Sequence, residues 1–435
     1  MKPLRVLAAT PSLILAALCL AACASTPPRP PAPISTGEPR VDPQPQRTGP
    51  DTGAHGGVAT GDLGDLSNMA EGETRGLTPP HMTGRDITRA AVLLPFSHPN
   101  RRVRSEAQGM LAGIEMALFE KAGDGFLIMP KDTGGSADRA ATLAEEAISE
   151  RADVILGPLF SANVQAVRSI ARESAVPVIA FSNDPEAAGS GAWLASIAVE
   201  EEVARLVDYA ARQGVDAFAF LGPRSDYGQR VERALRLEVV GNAGTMIVSR
   251  FYDPSNDAPV DAAEAVANVL KDEVEDRPGR VAILIPEEGV KLRSVAPLIP
   301  YYGVDFRKLR MLGTSRWNDP DLWREPTLSG GWFAAPAPGD LEAFAKAYRR
   351  NYGRKPSELA SLGYDAAAAA IRLSQVEGLD RDGITRGDGF MGLNGLFRFR
   401  PGGTAERSLA IMEIDRDEGA VMVEPGRQSF DPPVG

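Results

Sequence analysis

The chain has very little cysteine and histidine. Two cysteines and three histidines occur among 435 residues. Cys19 lies inside an apolar N-terminal run, which leaves no thiol beyond Cys23 for a disulfide or a thiol-based metal site. Two of the histidines fall in a linker-like segment, so a histidine-based cluster is not expected either. We therefore predict a protein that is not an enzyme, with no metal, no cofactor and no catalytic residues.

The chain also lacks an excess of positive charge and a second long apolar run. Its formal net charge is −11 at pH 7. That balance argues against nucleic acid or an anionic membrane surface as a partner. No segment after the N-terminal run approaches the ~20 apolar residues of a transmembrane helix.

The N-terminus has the parts of a bacterial lipoprotein signal. A basic start is followed by the apolar residues 6–20 and by Leu20-Ala21-Ala22-Cys23, a lipobox. We expect a signal peptide over residues 1–22, lipidation of Cys23 and a membrane tether through the lipid. The alternative is ordinary signal peptidase cleavage near Ala22 or Ala24. Because Ala24 is not an aspartate, the periplasmic face of the outer membrane is favoured over the inner membrane.

Residues 23–86 have the composition of a linker, rich in Pro, Gly, Ser and Thr and poor in large apolar residues. Such a composition predicts a disordered segment after the lipidated cysteine. It is either a spacer that holds the body away from the membrane or a merely permissive connection.

From residue 87 onward, short apolar runs alternate with helical stretches of 10–15 residues, which is typical of βαβ units and parallel sheets. The remaining residues are more than a single hydrophobic core usually contains, so we predict an α/β fold of two doubly wound lobes joined by hinge strands. The first lobe is expected to contain residues 87–197 and 330–388, and the second residues 198–329 and 389–420. Residues 421–435 are expected to form a flexible tail.

Motifs in a fixed order resemble the type I periplasmic binding proteins of the Leu-Ile-Val-binding superfamily. These motifs are residues 92–96 (VLLPF), 155–161 (ILGPLFS), 177–182 (PVIAFS) and 226–228 (DYG). Within that superfamily, three further segments are similar to the C-terminal domain of the LpoA-type lipoproteins, which activate penicillin-binding proteins. These segments are residues 312–319 (LGTSRWND), 363–366 (GYDA) and 392–399 (GLNGLFRF).

The resemblance implies a ligand site in the cleft between the lobes. Ser161 matches a serine that holds a ligand carboxylate at a helix start, where free N–H groups suit an anion. Ser182 and Asp184 match a second loop of the first lobe, and Tyr227 matches an aromatic residue that closes over the ligand. The alternatives are a plain helix N-cap for Ser161 and a packing role for Tyr227.

One position departs from the amino-acid binders of the family. They hold the ligand ammonium with an acidic residue where this chain has Ser315. A buried ammonium without a carboxylate is costly, so free α-amino acids are doubtful ligands unless Asp184 or Glu287 substitutes.

Two surface hypotheses concern a basic run and a pair of tryptophans. Arg101, Arg102 and Arg104 either face the cleft or a polyanion, or form a solvated loop. Trp317 and Trp323 lie on a segment that looks exposed and are candidates for contact with a partner protein.

The main functional hypothesis is a tethered regulator of peptidoglycan synthesis that contacts a penicillin-binding protein. The LpoA-type relatives also carry an N-terminal helical-repeat domain, where this chain has only a linker. The alternative is a solute-binding lipoprotein of an ABC importer for a small polar ligand, an amino acid or an amide-like molecule. The sequence leaves open which ligand, which partner and which oligomeric state apply.

Overall fold

A computed structural model describes residues 78–357, 359–376 and 378–430. The predicted signal peptide, the lipidation site Cys23 and most of the linker lie outside the described residues, as does the end of the predicted tail.

The described residues alternate between strands and helices, as the apolar runs predict. The strands are β1 (Thr88–Leu94), β2 (Phe126–Asp132), β3 (Val154–Leu156), β4 (Val178–Ala180), β5 (Ala192–Leu194), β6 (Ala217–Pro223), β7 (Thr245–Tyr252), β8 (Val281–Leu284), β9 (Leu309–Gly313), β10 (Trp332–Ala335), β11 (Phe390–Gly392), β12 (Gly395–Phe399), β13 (Ala405–Arg407), β14 (Ala410–Asp415) and β15 (Gly419–Glu424). The α-helices are α1 (Arg101–Lys121), α2 (Ala137–Ser149), α3 (Ser161–Glu173), α4 (Val199–Arg212), α5 (Asp226–Gly241), α6 (Val260–Asp276), α7 (Gly289–Val295), α8 (Leu298–Tyr301), α9 (Pro338–Tyr352), α10 (Ala360–Val376) and α11 (Arg381–Ile384). Short 3-10 helices occur at Pro80–Met82, Pro185–Ala187, Ser315–Trp317 and Pro326–Leu328.

The first lobe is built on a five-stranded parallel sheet in the order β2-β1-β3-β4-β5. Its central strands are buried on both faces, which is why they read as continuous apolar runs. Helices α1 and α10 pack closely because Gly113 has no side chain: a Cβ there would lie 2.0 Å from the carbonyl oxygen of Ala360. The small antiparallel sheet β11-β12-β13 contributes Phe390, Phe397 and Phe399 to the same core.

The second lobe is built on a seven-stranded sheet in the order β15-β14-β10-β9-β8-β6-β7. The strands from β10 to β7 are parallel, and β14 and β15 extend the sheet in antiparallel pairing. Helices α4 and α5 cover one face, and α6 covers the other. The predicted two-lobed α/β fold with mostly parallel sheets is confirmed.

The predicted lobe boundaries require correction after residue 330. Strand β10 pairs with β9 and β14 and so belongs to the second lobe, although residues 330–388 were expected in the first. Conversely, β11, β12 and β13 pack on the core of the first lobe rather than of the second. Strand β15 extends into the predicted tail and pairs with β14. A local pattern predicts that a strand forms, but not which core buries it.

The chain therefore passes between the lobes at residues 195–198, 336–337 and 408–409. A buried ion pair lies beside two of these crossings. Arg407 donates hydrogen bonds of 2.6 and 3.1 Å to two carbonyl oxygens of the first crossing segment, and its Nη1 lies 3.5 Å from Asp365 Oδ2. Asp365 also accepts from the Leu393 N–H at 2.6 Å and from Asn394 Nδ2 at 2.8 Å. Both charged side chains are at most 1% exposed.

Candidate functional site

A cavity of about 540 Å³ lies between the two lobes. The first lobe contributes an apolar patch, formed by Val103, Leu159, Phe160, Phe181, Leu359 and Leu362. It also contributes polar side chains, which are Arg102, Glu106, Asn183 and Asn394. The second lobe contributes mostly polar and charged groups, which are Glu202, Tyr227, Arg230, Ser315 and Arg316.

Glu202 is the buried acid of this cavity. It lies in the first turn of α4 and is only 6% exposed. Its two carboxylate oxygens accept hydrogen bonds from the backbone N–H and the hydroxyl of Ser315, each at 2.8 Å. Burial raises the pKa of Glu202 to about 7, although the hydrogen bonds from Ser315 and the charge of Arg316 oppose the rise. The position that lacks an acid in the sequence thus receives a carboxylate from another helix.

The sequence reasoning missed Glu202, although a signal was present. Residues 200–202 are three consecutive glutamates at a helix start. This arrangement is common, because negative side chains interact favourably with the N-terminal end of the helix dipole. Glu202 nevertheless falls on the same helical face as Val199, Val203 and Leu206, all buried. A glutamate within an apolar face indicates a buried, partnered acid. The predicted substitutes, Asp184 and Glu287, lie elsewhere.

Tyr227 lines the cavity as predicted, but another side chain covers its ring. The Arg316 guanidinium lies 3.7 Å from the ring centroid, and the Tyr227 hydroxyl donates to Thr314 Oγ1 at 2.9 Å. Burial raises the pKa of Tyr227. Arg316 also lies 3.8 Å from Glu288, so one cation meets an aromatic face and a carboxylate beside the cleft.

Arg230 connects the two lobes across the cleft. It pairs with Glu200 at 2.7 Å and donates a hydrogen bond of 2.9 Å to the carbonyl oxygen of Asn183 on the first lobe. Arg102, from the predicted basic run, is in the first turn of α1 and lines the same cavity. Of the two alternatives given for that run, Arg102 therefore fits the one in which it faces the cleft.

Three predicted residues of the first lobe stand beside the cavity rather than in its lining. Ser161 begins α3, directly after Phe160, which does line the cavity. Ser182 is buried and accepts a hydrogen bond from the N–H of Asp184 at 3.2 Å. Asp184 in turn caps the following 3-10 turn. Ser182 and Asp184 therefore shape the loop, and Asn183 between them reaches the cavity.

Glu287 also differs from its predicted place. It is 7% exposed and accepts a hydrogen bond from the Tyr252 hydroxyl within the second lobe. Burial raises the pKa of Glu287, as it does for Tyr252. Glu288 points instead toward an adjoining part of the cleft.

The prediction that Trp317 contacts a partner protein is wrong. Trp317 is fully buried, and its indole N–H donates to the carbonyl oxygen of Ile285 at 3.2 Å. Its ring packs on Gly313, where a Cβ would lie 2.0 Å from the ring. Trp323 is half-buried and donates to the carbonyl oxygen of Trp317 at 3.0 Å. The segment contains polar residues and looks exposed, but its two large rings face the core and so fix the turn that carries Ser315 and Arg316.

Two further observations concern the part of the chain that the structure describes. It contains no group of three or more His, Cys, Asp or Glu side chains placed to hold a metal ion. None of its helices combines the length and the hydropathy needed to cross a bilayer.

Comparison with known proteins now places the chain in a family. The model of the periplasmic binding protein family matches residues 88–420. The chain belongs to this family, whose members are periplasmic. A curated relative, an uncharacterized protein of Rickettsia prowazekii, is 21% identical over 228 residues, which are 52% of this chain and 60% of that protein.

Several solved structures share this fold, and their names refer to ABC transporters or to the binding of a small molecule. A putative branched-chain amino acid ABC transporter protein of Rhodospirillum rubrum has a TM-score of 0.68 at 20% identity and covers 78% of this chain and 100% of its own. A leucine-binding protein of Thermotoga maritima has a TM-score of 0.54 at 19% identity, with 80% and 99% covered. A Rhodopseudomonas palustris protein in complex with 3,4-dihydroxybenzoic acid has a TM-score of 0.55 at 17% identity, with 80% and 98% covered.

The pKa of Glu202 leads to a testable pH dependence. Between its usual value of 4.5 and about 7, the folded state holds a proton that the unfolded state has lost. The free energy of unfolding should therefore fall as pH rises through this range, by about 3 kcal/mol from this group. Glu202→Gln keeps an acceptor and gains a donor for Ser315, so it should abolish this slope. The difference between wild type and variant in urea denaturation at pH 4.5, 6 and 8 measures the effect.

Glu201→Gln is the matched control, because Glu201 is the neighbouring residue and pairs with Arg400 outside this cavity. It should retain the wild-type slope. A Glu202→Gln variant with an unchanged slope would show that Glu202 ionises normally.

Proposed function

We propose that this protein binds a small carboxylate with an apolar body in the cleft between its lobes, as the solute-binding component of a transporter. The cavity carries the proposal: it offers about 540 Å³ with an apolar patch on the first lobe and guanidinium groups beside it. This volume is within the range of about 300–1,000 Å³ that is typical of small-molecule sites.

The balance of charge around the cavity favours an anionic group. Three arginines and two glutamates line it, namely Arg102, Arg230, Arg316, Glu106 and Glu202. Arg230 is already paired with Glu200, whereas Arg316 has its nearest carboxylate contact, with Glu288, at a long 3.8 Å. Guanidinium groups hold carboxylates through charge-assisted hydrogen bonds. Arg316 is therefore the residue to which we assign the ligand carboxylate.

An ammonium group is less suited to this cavity. Both oxygens of Glu202 already accept from Ser315, and with a pKa of about 7 the carboxyl is only about half ionised at neutral pH. A desolvated ammonium needs an ionised partner. The compound in the Rhodopseudomonas palustris complex is a carboxylic acid without an ammonium group, which supports this ligand class by analogy.

Three compounds with the same branched apolar body test the proposal. Isocaproate has only the carboxylate, isopentylamine has only the ammonium, and leucine has both. We expect calorimetric titration of the purified protein to show binding of isocaproate and none of the amine. Binding of the amine alone, or of none of the three and no aromatic carboxylate, would overturn the proposal.

Replacing Arg316 by glutamine should weaken carboxylate binding by roughly 10- to 100-fold, since a hydrogen bond to a charged group contributes about 1.5–3 kcal/mol. Titration of the variant with isocaproate gives the change. Arg224→Gln is the matched control, because Arg224 also lies over an aromatic ring of the second lobe, Phe251, but outside the cavity. Equal losses in both variants would contradict a direct role for Arg316.

The membrane location and the protein partner are two further proposals. The lipobox at Cys23 and residue Ala24 support a lipid anchor on the periplasmic face of the outer membrane. The anchor and the long linker also support the hypothesis of an LpoA-like regulator that contacts a penicillin-binding protein. The lack of an acidic residue at position 315 does not add to that support, because Glu202 supplies a carboxylate there. Separation of inner and outer membranes, with affinity capture of a bifunctional penicillin-binding protein, distinguishes the two functions. Inner-membrane location without capture favours the importer component.

A further inference from the structure

We infer that Glu202 takes up a proton when a carboxylate ligand enters the cleft, so that the protein binds its ligand and a proton together. This inference rests on the proposed function. The carboxyl group of Glu202 lines the ligand cavity and is 6% exposed. Ser315 donates to both of its oxygens at 2.8 Å, which positions the carboxyl group beside the cavity. Once protonated, Glu202 can donate to Ser315 Oγ instead, because a serine hydroxyl both donates and accepts.

The surroundings of Glu202 leave its charge finely balanced. The charged and titratable groups of the cavity and its edge are Glu200 on the same helix, Tyr227 and Arg230 on α5, Arg316 after β9 with Glu288 at 3.8 Å from it, and Glu106 and Arg102 on α1. The ring of His98 packs on Phe160 of the cavity wall. Arg316 favours the ionised form of Glu202, whereas burial and Glu200 favour the neutral form. Burial is the largest effect and raises the pKa of Glu202 to about 7.

A bound carboxylate changes this balance in one direction. It adds a negative charge inside a partly desolvated cleft and draws the guanidinium of Arg316 toward itself, so the neutral form of Glu202 becomes more favourable. The proton comes from the solvent, and at most one is taken up per complex. An ammonium ligand would have the opposite effect and release a proton. The sign of proton exchange therefore reports which ligand class the cleft accepts.

The coupling predicts how affinity depends on pH. Below about pH 6, Glu202 is already protonated and the dissociation constant should be constant. Above about pH 7, it should rise by up to tenfold per pH unit, because protonation then has to accompany binding. The carboxylate of isocaproate is ionised throughout this range, and arginine does not titrate in it.

Calorimetric titration of the purified protein with isocaproate at pH 7.5, in phosphate and in Tris, tests the inference because the two buffers differ in ionisation enthalpy. The dependence of the observed heat on the buffer should correspond to uptake of up to roughly 0.8 proton per ligand, because about that fraction of Glu202 is ionised before binding. Glu202→Gln should bind isocaproate without proton uptake and with an affinity that no longer depends on pH. Glu201→Gln and His98→Gln should both retain the uptake.

The outcomes separate the inference from the proposed function. No binding of isocaproate or of an aromatic carboxylate such as 3,4-dihydroxybenzoate at any pH overturns both. Binding without proton uptake in the wild type overturns the inference alone, and this comparison needs no variant. Uptake that persists in Glu202→Gln, or that disappears in His98→Gln, assigns the proton to another group and overturns it as well.

Discussion

Replacing Asp365 by alanine is expected to lower the free energy of unfolding by about 3–5 kcal/mol, because it leaves a buried guanidinium without its carboxylate. The side chains of Arg407 and Asp365 are both buried, at most 1% exposed. The substitution also removes the acceptor for the Leu393 N–H and for the side chain of Asn394. Denaturation in urea, followed by circular dichroism, gives the loss of stability.

The double variant Asp365→Ala with Arg407→Leu separates charge from packing. It should recover part of the loss, because the unpaired buried charge is gone. Asp388→Ala is the control, since Asp388 pairs with Arg386 at the surface and exposed pairs contribute about 1 kcal/mol or less. A single-variant loss no larger than that of the control would contradict this account of the ion pair. Asn394 also lines the cavity between the lobes, so the proposed carboxylate binding should weaken in the Asp365 variant.

Replacing Trp317 by alanine is expected to cost about 3–5 kcal/mol, the usual effect of removing a large buried aromatic side chain. The ring fills the space above Gly313 and Gly331, and no other atoms can replace it without movement of the chain. Because Trp317 ends the turn that begins at Ser315, the substitution should also weaken ligand binding. Denaturation and calorimetric titration measure the two effects.

Trp317→Phe is the conservative companion. It keeps most of the ring volume but loses the donor for the carbonyl oxygen of Ile285, so a loss of roughly 1–3 kcal/mol is expected. Trp323→Ala should cost less than Trp317→Ala, since Trp323 is only half-buried. A Trp317→Ala variant with unchanged stability would contradict the packing role of this ring.

Much of the fold could be predicted because parallel strands buried on both faces must be apolar along their whole length. Apolar runs such as residues 154–156 and 281–284 therefore predict strands from the local sequence alone. The assignment of β10 and of β11, β12 and β13 to lobes could not be predicted in this way. Strand pairing across a long chain depends on contacts between distant segments, and the local pattern is the same in either lobe.

The candidate site was predicted in part. Tyr227 and Ser315 line the cavity, and both were assigned from motifs at the ends of strands. Ser182 and Asp184 were predicted to line the cavity, but Asn183, which lies between them in the sequence, lines it instead. Arg316 was not predicted as a site residue, because the sequence does not show whether a loop arginine lines a cleft or faces solvent.

The α/β fold class could be inferred from the chain alone, because strand and helix periods depend on local chemistry. The electrostatics of the cleft could not, because they depend on which distant residues meet after folding. Glu202 and Ser315 are 113 residues apart in the chain and meet because α4 packs beside the end of β9. A pKa responds to burial and to charges in space, and neither can be read from a linear sequence. The missing acid of the ligand site was therefore present in the chain, in a place that only folding reveals.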